Sequence, residues 1–230
     1  MPPLSTSRSL QDQLDTITAN TRELVQPERL AITDDAVQQL FSTGIEDRTL
    51  PIGATAPSFA LQDAITKKIV RSDDLLAVAP VIVKFFRGRW CPYCMTELEV
   101  WQQLYPQVRE RGALLVAISP QLVRQNDFAV QHHHLTFPIL TDPGSALAAQ
   151  FGIGYSVPEH LRLHYRSILI NIPFINGDQG DNTWRLPIPA TFVIKRTRNS
   201  TGDIADTIAF AEAHADHRVR PDPQDILAAL

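Results

Sequence analysis

The run Val81-Ile82-Val83-Lys84-Phe85-Phe86 is β-branched and aromatic, with Pro80 before it and Arg87-Gly88-Arg89 after it. Such a run predicts a short buried strand. Trp90-Cys91-Pro92-Tyr93-Cys94 follows directly, and beyond it Leu98, Trp101, Leu104, Tyr105 and Val108 recur at helical spacing, with Gly112 as a stop and a kink expected at Pro106. The order is strand, turn, helix, with a pair of thiols at the junction. That junction limits the fold more than any other feature of the chain.

Cys91 and Cys94 are the only two cysteines among 230 residues. A stapled secreted domain spreads several cysteines along its length, and a bridge across so small a loop removes little entropy from the unfolded chain. The pair is better explained by chemistry. With Cys91 as N-cap, Pro92 takes the first helical position, where its missing N–H costs nothing, and Cys94 lies one turn in. The free N–H groups of that helix end favour a thiolate, and Arg87 and Arg89 add positive charge. Sites of this kind lower a cysteine pKa from ~8.5 into the range of about 3.5 to 7.5. Cys91 is then the nucleophile, and Cys94 is placed to attack a mixed disulfide or sulfenic acid formed on it. Two thiolates at this spacing can also be half of a zinc site, with His132-His133-His134 as further ligands; the plainer alternatives are two inert buried thiols, and a polar helix end and loop for the histidines. The redox reading requires neither cofactor nor metal. Trp90 and Tyr93 either shape a substrate surface or simply pack.

The rest of the chain alternates. Leu10, Leu14, Ile17, Thr21 and Leu24 form one stripe of a helix that stops near Pro27 and packs on its own subunit or, in a homodimer, on another. Asp34 or Asp35 is placed to cap a short second helix through Ala36, Val37, Leu40 and Phe41, before the loop Leu50-Pro51-Ile52-Gly53. Strands are expected at 114–119 and around 137–140, a helix from Asn126 to Val130, and a helix starting at Asp142-Pro143 and ending before Gly152. The stretch from Tyr155 to Arg185 breaks the rhythm and reads as an insertion containing a short helix from Glu159 to Tyr165. Residues 190–194 and 206–210 suit an antiparallel hairpin across a turn at 199–203, and residues 223–230 a closing helix. The expectation is an α/β fold in which a sheet is covered by helices on both faces, with a helical extension over residues 1–50 and one decorated domain over 51–230.

Charge excludes some partners. Lys and Arg number 21 against 25 Asp and Glu, a net of −4 with no long run of one sign, so neither nucleic acid nor a membrane surface is expected. No stretch approaches a membrane span, and Met1-Pro2-Pro3-Leu4-Ser5-Thr6-Ser7-Arg8 lacks the apolar core of a secretory signal, which makes the cytoplasm the expected compartment.

From Gly53 onward the chain resembles the thioredoxin superfamily, and more closely its peroxiredoxin-like branch named for alkyl hydroperoxide reductase and thiol-specific antioxidant. The resemblance is carried by Gly53-Ala54-Thr55-Ala56-Pro57-Ser58-Phe59-Ala60-Leu61-Gln62-Asp63, Val116-Ala117-Ile118-Ser119, Phe137-Pro138-Ile139-Leu140-Thr141-Asp142 and Ala190-Thr191-Phe192-Val193-Ile194. It implies a thioredoxin-like fold with a central mixed sheet. It also implies reduction of hydrogen peroxide or organic hydroperoxides, with electrons from thioredoxin, glutaredoxin or glutathione. In the reactive segment the branch has proline, three residues, threonine or serine, two residues, then the attacking cysteine. Aligned on Phe85-Phe86, those places hold Arg87, Cys91 and Cys94 here, and the place of a supporting arginine holds Pro189. Cys-Pro-Tyr-Cys instead resembles a glutaredoxin site, in which Pro189 matches a cis-proline facing the pair; that site implies disulfide exchange. Cys91 and Cys94 are the expected catalytic pair, with Arg87, Trp90, Pro92, Tyr93, Pro189 and Thr191 in support. Exposure favours Cys91 as the attacker, whereas alignment favours Cys94. Peroxidase, disulfide reductase and a non-enzymatic metal-binding or interaction module are the three classes this leaves.

Overall fold

The computed structural model describes residues 9–198 and 203–230. Helix α1 (Leu10–Leu24) opens with a capping box in which Ser9 and Asp12 satisfy each other's backbone N–H groups. Its stripe docks through Leu10 and Leu14 onto the chain's own core, while Leu24 is left exposed. Helix α2 (Pro27–Ser42) begins well before Asp34. The expected cap at Asp34 or Asp35 is therefore corrected: Pro27 occupies the first turn, and Asp34 lies mid-helix, paired with Arg218.

Strands β1 (Ala60–Asp63) and β2 (Ile69–Arg71) and helix α3 (Ser72–Leu76) lead to β3 (Val81–Phe85), which is buried along its whole length. Helix α4 (Pro92–Glu110) starts at the thiol pair and runs on through Pro106. Then come β4 (Leu114–Ser119), α5 (Val123–His133) and β5 (Ile139–Thr141); α5 is longer at both ends than Asn126 to Val130. At Asp142-Pro143 the expected helix is split. Pro143–Ser145 form a 3-10 turn, Ser145 is left-handed, and α6 (Ala146–Gln150) follows with the Asp142 carboxylate accepting from the Leu147 and Ala148 N–H groups.

Strand β6 (Gly154–Ser156) pairs across a long excursion with β7 (Arg185–Pro187), and between them lie α7 (Glu159–Ser167) and α8 (Ile172–Asn176). Strands β8 (Ala190–Arg198) and β9 (Ile204–Ala213) form the expected hairpin; of its turn, residues 199–202 lie outside the described residues. Helix α9 (Pro223–Ala228) buries Ile226 and Leu227, with Leu230 only partly covered.

The main sheet has the order β2-β1-β5-β4-β3-β8-β9, parallel among β3, β4 and β5 and antiparallel elsewhere. This is the mixed sheet flanked by helices that a thioredoxin-like fold requires. Because strand side chains alternate between faces, Val81, Val83 and Phe85 pack with Phe151 and Phe192 on one side, while Ile82 joins Leu98 and Trp101 of α4 on the other. Lys84 shares that second face. Its ammonium is thereby aimed into the α4 side of the core, where it needs partners. A smaller cluster, Ala36, Leu161, Tyr165 and Trp184 among it, fastens α2 to the β6–β7 excursion. Among the described residues no helix is long and apolar enough to cross a membrane.

Gly152 makes the closest backbone approach. Its φ is +76°, and a Cβ there falls 1.9 Å from the Arg48 carbonyl oxygen. Gly53, at φ +88°, has nothing within 4 Å of the same position. Gly152→Ala is expected to lose more than about 2 kcal/mol, strain and overpacking together, and Gly53→Ala about 1 kcal/mol from backbone strain alone. Chemical denaturation of the two variants checks the difference.

Candidate active site

Two neighbours fix the loop ahead of α4. Arg89 N–H donates to Gln121 Oε1 at 2.9 Å, and a Cβ on Gly88 falls 2.5 Å from Trp90 Nε1, so Gly88 leaves the space the indole fills. Cys91 is the N-cap, in extended backbone, with Pro92 exposed at the first helical position. Its carbonyl accepts from the Cys94 and Met95 N–H groups, each at 3.1 Å. Both thiols are free and buried, 2% exposed for Cys91 and 0% for Cys94.

Cys91 borders a cavity of about 260 Å³. Its walls include Thr18 of α1, Thr33 of α2 and Tyr165 of α7, so the N-terminal helices and the β6–β7 excursion roof the thiol. Cys94 does not reach this space. A second cavity, of about 180 Å³, abuts the first and shares Thr33, Arg87, Tyr165 and His217 with it.

Arg87 is buried between the cavities. Its guanidinium lies 4.7 Å from the Trp90 ring centroid, and it donates to the Tyr165 hydroxyl. Tyr165 in turn packs on Trp90 at 5.2 Å between centroids. Tyr93 shares its hydroxyl with Thr18 at 3.1 Å and meets His217 edge-to-face. Trp90 and Tyr93 thus pack and line the cavity at once.

On the protein side of the thiols lies a buried ionic cluster. Arg220 Nη2 donates to Cys94 Sγ at 3.6 Å, and Arg220 Nε donates to Glu97 at 2.6 Å. Lys84 donates to the other Glu97 oxygen and to Thr191 Oγ1. These contacts split the two thiols. Burial pushes the Cys91 thiol up, but the Cys94 thiol, Arg87 and Arg220 together bring it down to about 6. Burial, followed by the hydrogen bond and charge of Cys91, pushes Cys94 well above the ordinary thiol range. His217 is held well below its usual value by burial and by Arg87, Arg218 and Arg220, so it is neutral.

Two expected site features are corrected. Arg89 does not face the thiols: its Nε donates to Gln125 and its guanidinium stacks on Phe128, because the fixed loop turns it toward α5. Pro189 is not in the cis form, since the described residues contain no cis peptide bond, and it lines the second cavity rather than the one Cys91 borders. Its carbonyl is held by the His214 N–H at 3.1 Å. Thr191 does not line the cavity that Cys91 borders; its Oγ1 accepts from Lys84. His132 to His134 close α5 in a left-handed cap, and His133 Nδ1 sits 2.7 Å from Glu99. Sequence reasoning missed Glu97 and Arg220, which carry no motif. It also missed Tyr165 and His217.

The profile of the AhpC/TSA family matches residues 52–199. The chain belongs to that family. Among curated relatives of this AhpC/TSA protein, thiol-disulfide oxidoreductase ResA of Bacillus thuringiensis (strain Al Hakam) is 31% identical over 109 residues, 46% of this chain and 60% of that protein. ResA of Geobacillus thermodenitrificans is 27% identical over 110 residues, 47% of this chain and 62% of its own. The matches thus span less than two thirds of these relatives. The fold is that of peroxidoxin BcpB from Mycobacterium tuberculosis, with a TM-score of 0.55 at 22% identity over 78% of this chain and 96% of that one. PrxQ from Xylella fastidiosa superposes with a TM-score of 0.55 at 17% identity, covering 78% and 94%.

The electrostatics predict a pH profile. Alkylation of Cys91 by iodoacetamide, followed by mass spectrometry, is expected to be fastest and level above the thiol's pKa and to fall as pH drops through about 6. Arg220→Met removes a cation that favours the thiolate and is expected to move the inflection to higher pH.

Proposed function

We propose that this AhpC/TSA protein is a thiol-dependent oxidoreductase that reduces hydrogen peroxide or an organic hydroperoxide through a Cys91/Cys94 dithiol-disulfide cycle. The observation that carries this reading is the placing of a low-pKa thiol, only 2% exposed, beside a cavity of about 260 Å³. A buried thiol beside a cavity of this size favours a small-molecule substrate over a protein disulfide.

In this cycle the Cys91 thiolate attacks the terminal peroxide oxygen. The O–O bond breaks, Cys91 becomes a sulfenic acid, and the departing alkoxide or hydroxide takes a proton from water to leave as alcohol or water. Cys94, protonated at rest, gives up its proton as its sulfur attacks that sulfur; the hydroxide that leaves carries this proton off as water, and the disulfide forms. A thiol donor, thioredoxin, glutaredoxin or glutathione, returns both sulfurs to the reduced state. Cys91 is the attacker because it alone of the pair borders the cavity. Arg87 supports the thiolate by charge, Trp90, Tyr93 and Pro92 shape its surroundings, and Thr191 steadies Lys84 beneath Cys94. Residues 1–50 and about 155–185 are read as additions to the domain at 51–230, and their described helices α1, α2 and α7 share the task of the roof. The cytoplasm, where such dithiols are kept reduced, is the setting this cycle suits.

A second reading, a protein disulfide reductase, is favoured by the ResA relatives and by the Cys-Pro-Tyr-Cys segment. Rapid mixing separates the two. The reduced protein is expected to consume hydrogen peroxide or cumene hydroperoxide at least ~100-fold faster than a free thiol of similar pKa, a gain of about 2.7 kcal/mol in the barrier. A rate equal to that reference, with rapid reduction of insulin disulfides in the same preparation, supports the reductase instead.

A further inference from the structure

The cycle gives the buried ions around the thiols a share in stabilising the thiolate but no part in moving protons. Lys84 and Glu97 are each 1% exposed, Arg87 4% and Arg220 6%. Glu97 has one carboxylate oxygen on Lys84 and the other on Arg220. Arg220 also donates to the His217 and Val219 carbonyls and to Cys94 Sγ. Lys84 faces Glu97, Cys94 and the Trp101 ring on α4, Arg220 on the segment after β9, and the Thr191 hydroxyl on β8.

The charge balance of this interior changes with redox state. In the dithiol form the cations are Lys84, Arg87 and Arg220, and the anions are Glu97 and the Cys91 thiolate. Closing the disulfide deletes the thiolate and leaves Glu97 alone against three cations. An uncompensated buried charge is costly, and a group that can shed its proton does so instead. Arginine keeps its proton, and His217 is already neutral. Lys84 is the group left that can respond, and burial already lowers its affinity for a proton.

We propose that Lys84 is a redox-linked proton site, protonated while Cys91 and Cys94 are a dithiol and neutral once they are bridged. The inference rests on the dithiol-disulfide cycle proposed above. With oxidised glutathione as oxidant, the glutathione S–S bond breaks and the Cys91–Cys94 bond forms. Two electrons pass to the glutathione sulfurs, and two protons, one from Cys94 and one from Lys84, complete the two glutathione thiols. Total charge is unchanged across the reaction.

Proton counting makes this testable. Each proton of mismatch between the protein pair and glutathione changes their equilibrium constant tenfold per pH unit. The protein is equilibrated in glutathione buffers between about pH 7 and pH 8, below glutathione's own thiol pKa in the ordinary range of about 8.5. The disulfide fraction is then read by mass spectrometry after acid quench. For the constant written as reduction of the protein disulfide by two glutathione thiols, two protons taken up by the wild-type pair leave it flat across that interval, whereas uptake of one alone makes it rise tenfold per pH unit. A tenfold rise per pH unit in the wild type overturns the proposal. Lys84→Met, unbranched and of similar length, is expected to show that tenfold rise, and a flat profile in Lys84→Met also overturns it. Should that variant fail to fold, the wild-type slope still decides. A pair that exchanges with glutathione but rises tenfold per pH unit removes this inference alone. A pair that forms no disulfide at any glutathione ratio removes the cycle with it.

Discussion

The site depends on one constraint: two buried thiols at a helix end are held among a fixed set of opposing charges. The α4 N-terminus offers a partial positive charge, yet burial works against any thiolate there. Arg87 on the cavity side and Arg220 on the core side supply what burial takes away. Arg220 in turn requires Glu97, and Glu97 requires Lys84. A cation anywhere in this chain of partners is affordable only because the next member is present. The sheet face that carries Lys84 and the helix that carries both cysteines and Glu97 are therefore bound to a single register.

The same burial that makes the thiolate costly makes it selective. A thiol at an exposed helix end meets any disulfide that diffuses past, whereas Cys91 meets what enters through the roof of α1, α2 and α7. The roof is tied down by side chains that also form the cavity wall. Thr18 bonds Tyr93, and Tyr165 takes a hydrogen bond from Arg87 while packing on Trp90. Access and electrostatics are thus coupled: lifting α7 would remove a partner of Arg87 as well as open the thiol to water.

Local pattern made the strand, the helix and the cysteine pair legible, because each is written in adjacent residues: the apolar run of β3, Pro92 at the first helical turn, and the periodicity from Leu98 to Val108. The N-terminal stripe was legible for the same reason. Arg220 and Glu97 were not, since an isolated arginine and a helical glutamate look like ordinary surface residues until the fold places them 2.6 Å apart in the core. Arg89 misled because sequence neighbourhood to Cys91 says nothing of direction, and Gln121 and Gln125 turn it away. Pro189 misled through alignment: its place along the chain matches a proline that faces the thiols, but here it lines the second cavity together with residues of α2.

The distribution of these parts along the chain has a further consequence. The family profile covers residues 52–199, which contain β3, α4, Lys84, Glu97, Arg87 and Thr191. Thr18 and Thr33 of the roof lie before that region, and His217 and Arg220 lie after it. The matched region therefore supplies the junction, a buried carboxylate and the α7 part of the cover, while the flanking segments supply the α1 and α2 parts of the cover and the cation under Cys94. Without Arg220, Glu97 would face Lys84 alone and Cys94 would lose its donor; without α1 and α2, Cys91 would stand in water with its helix end screened. The chemistry of this pair is set as much by what is wrapped around the family domain as by the domain itself.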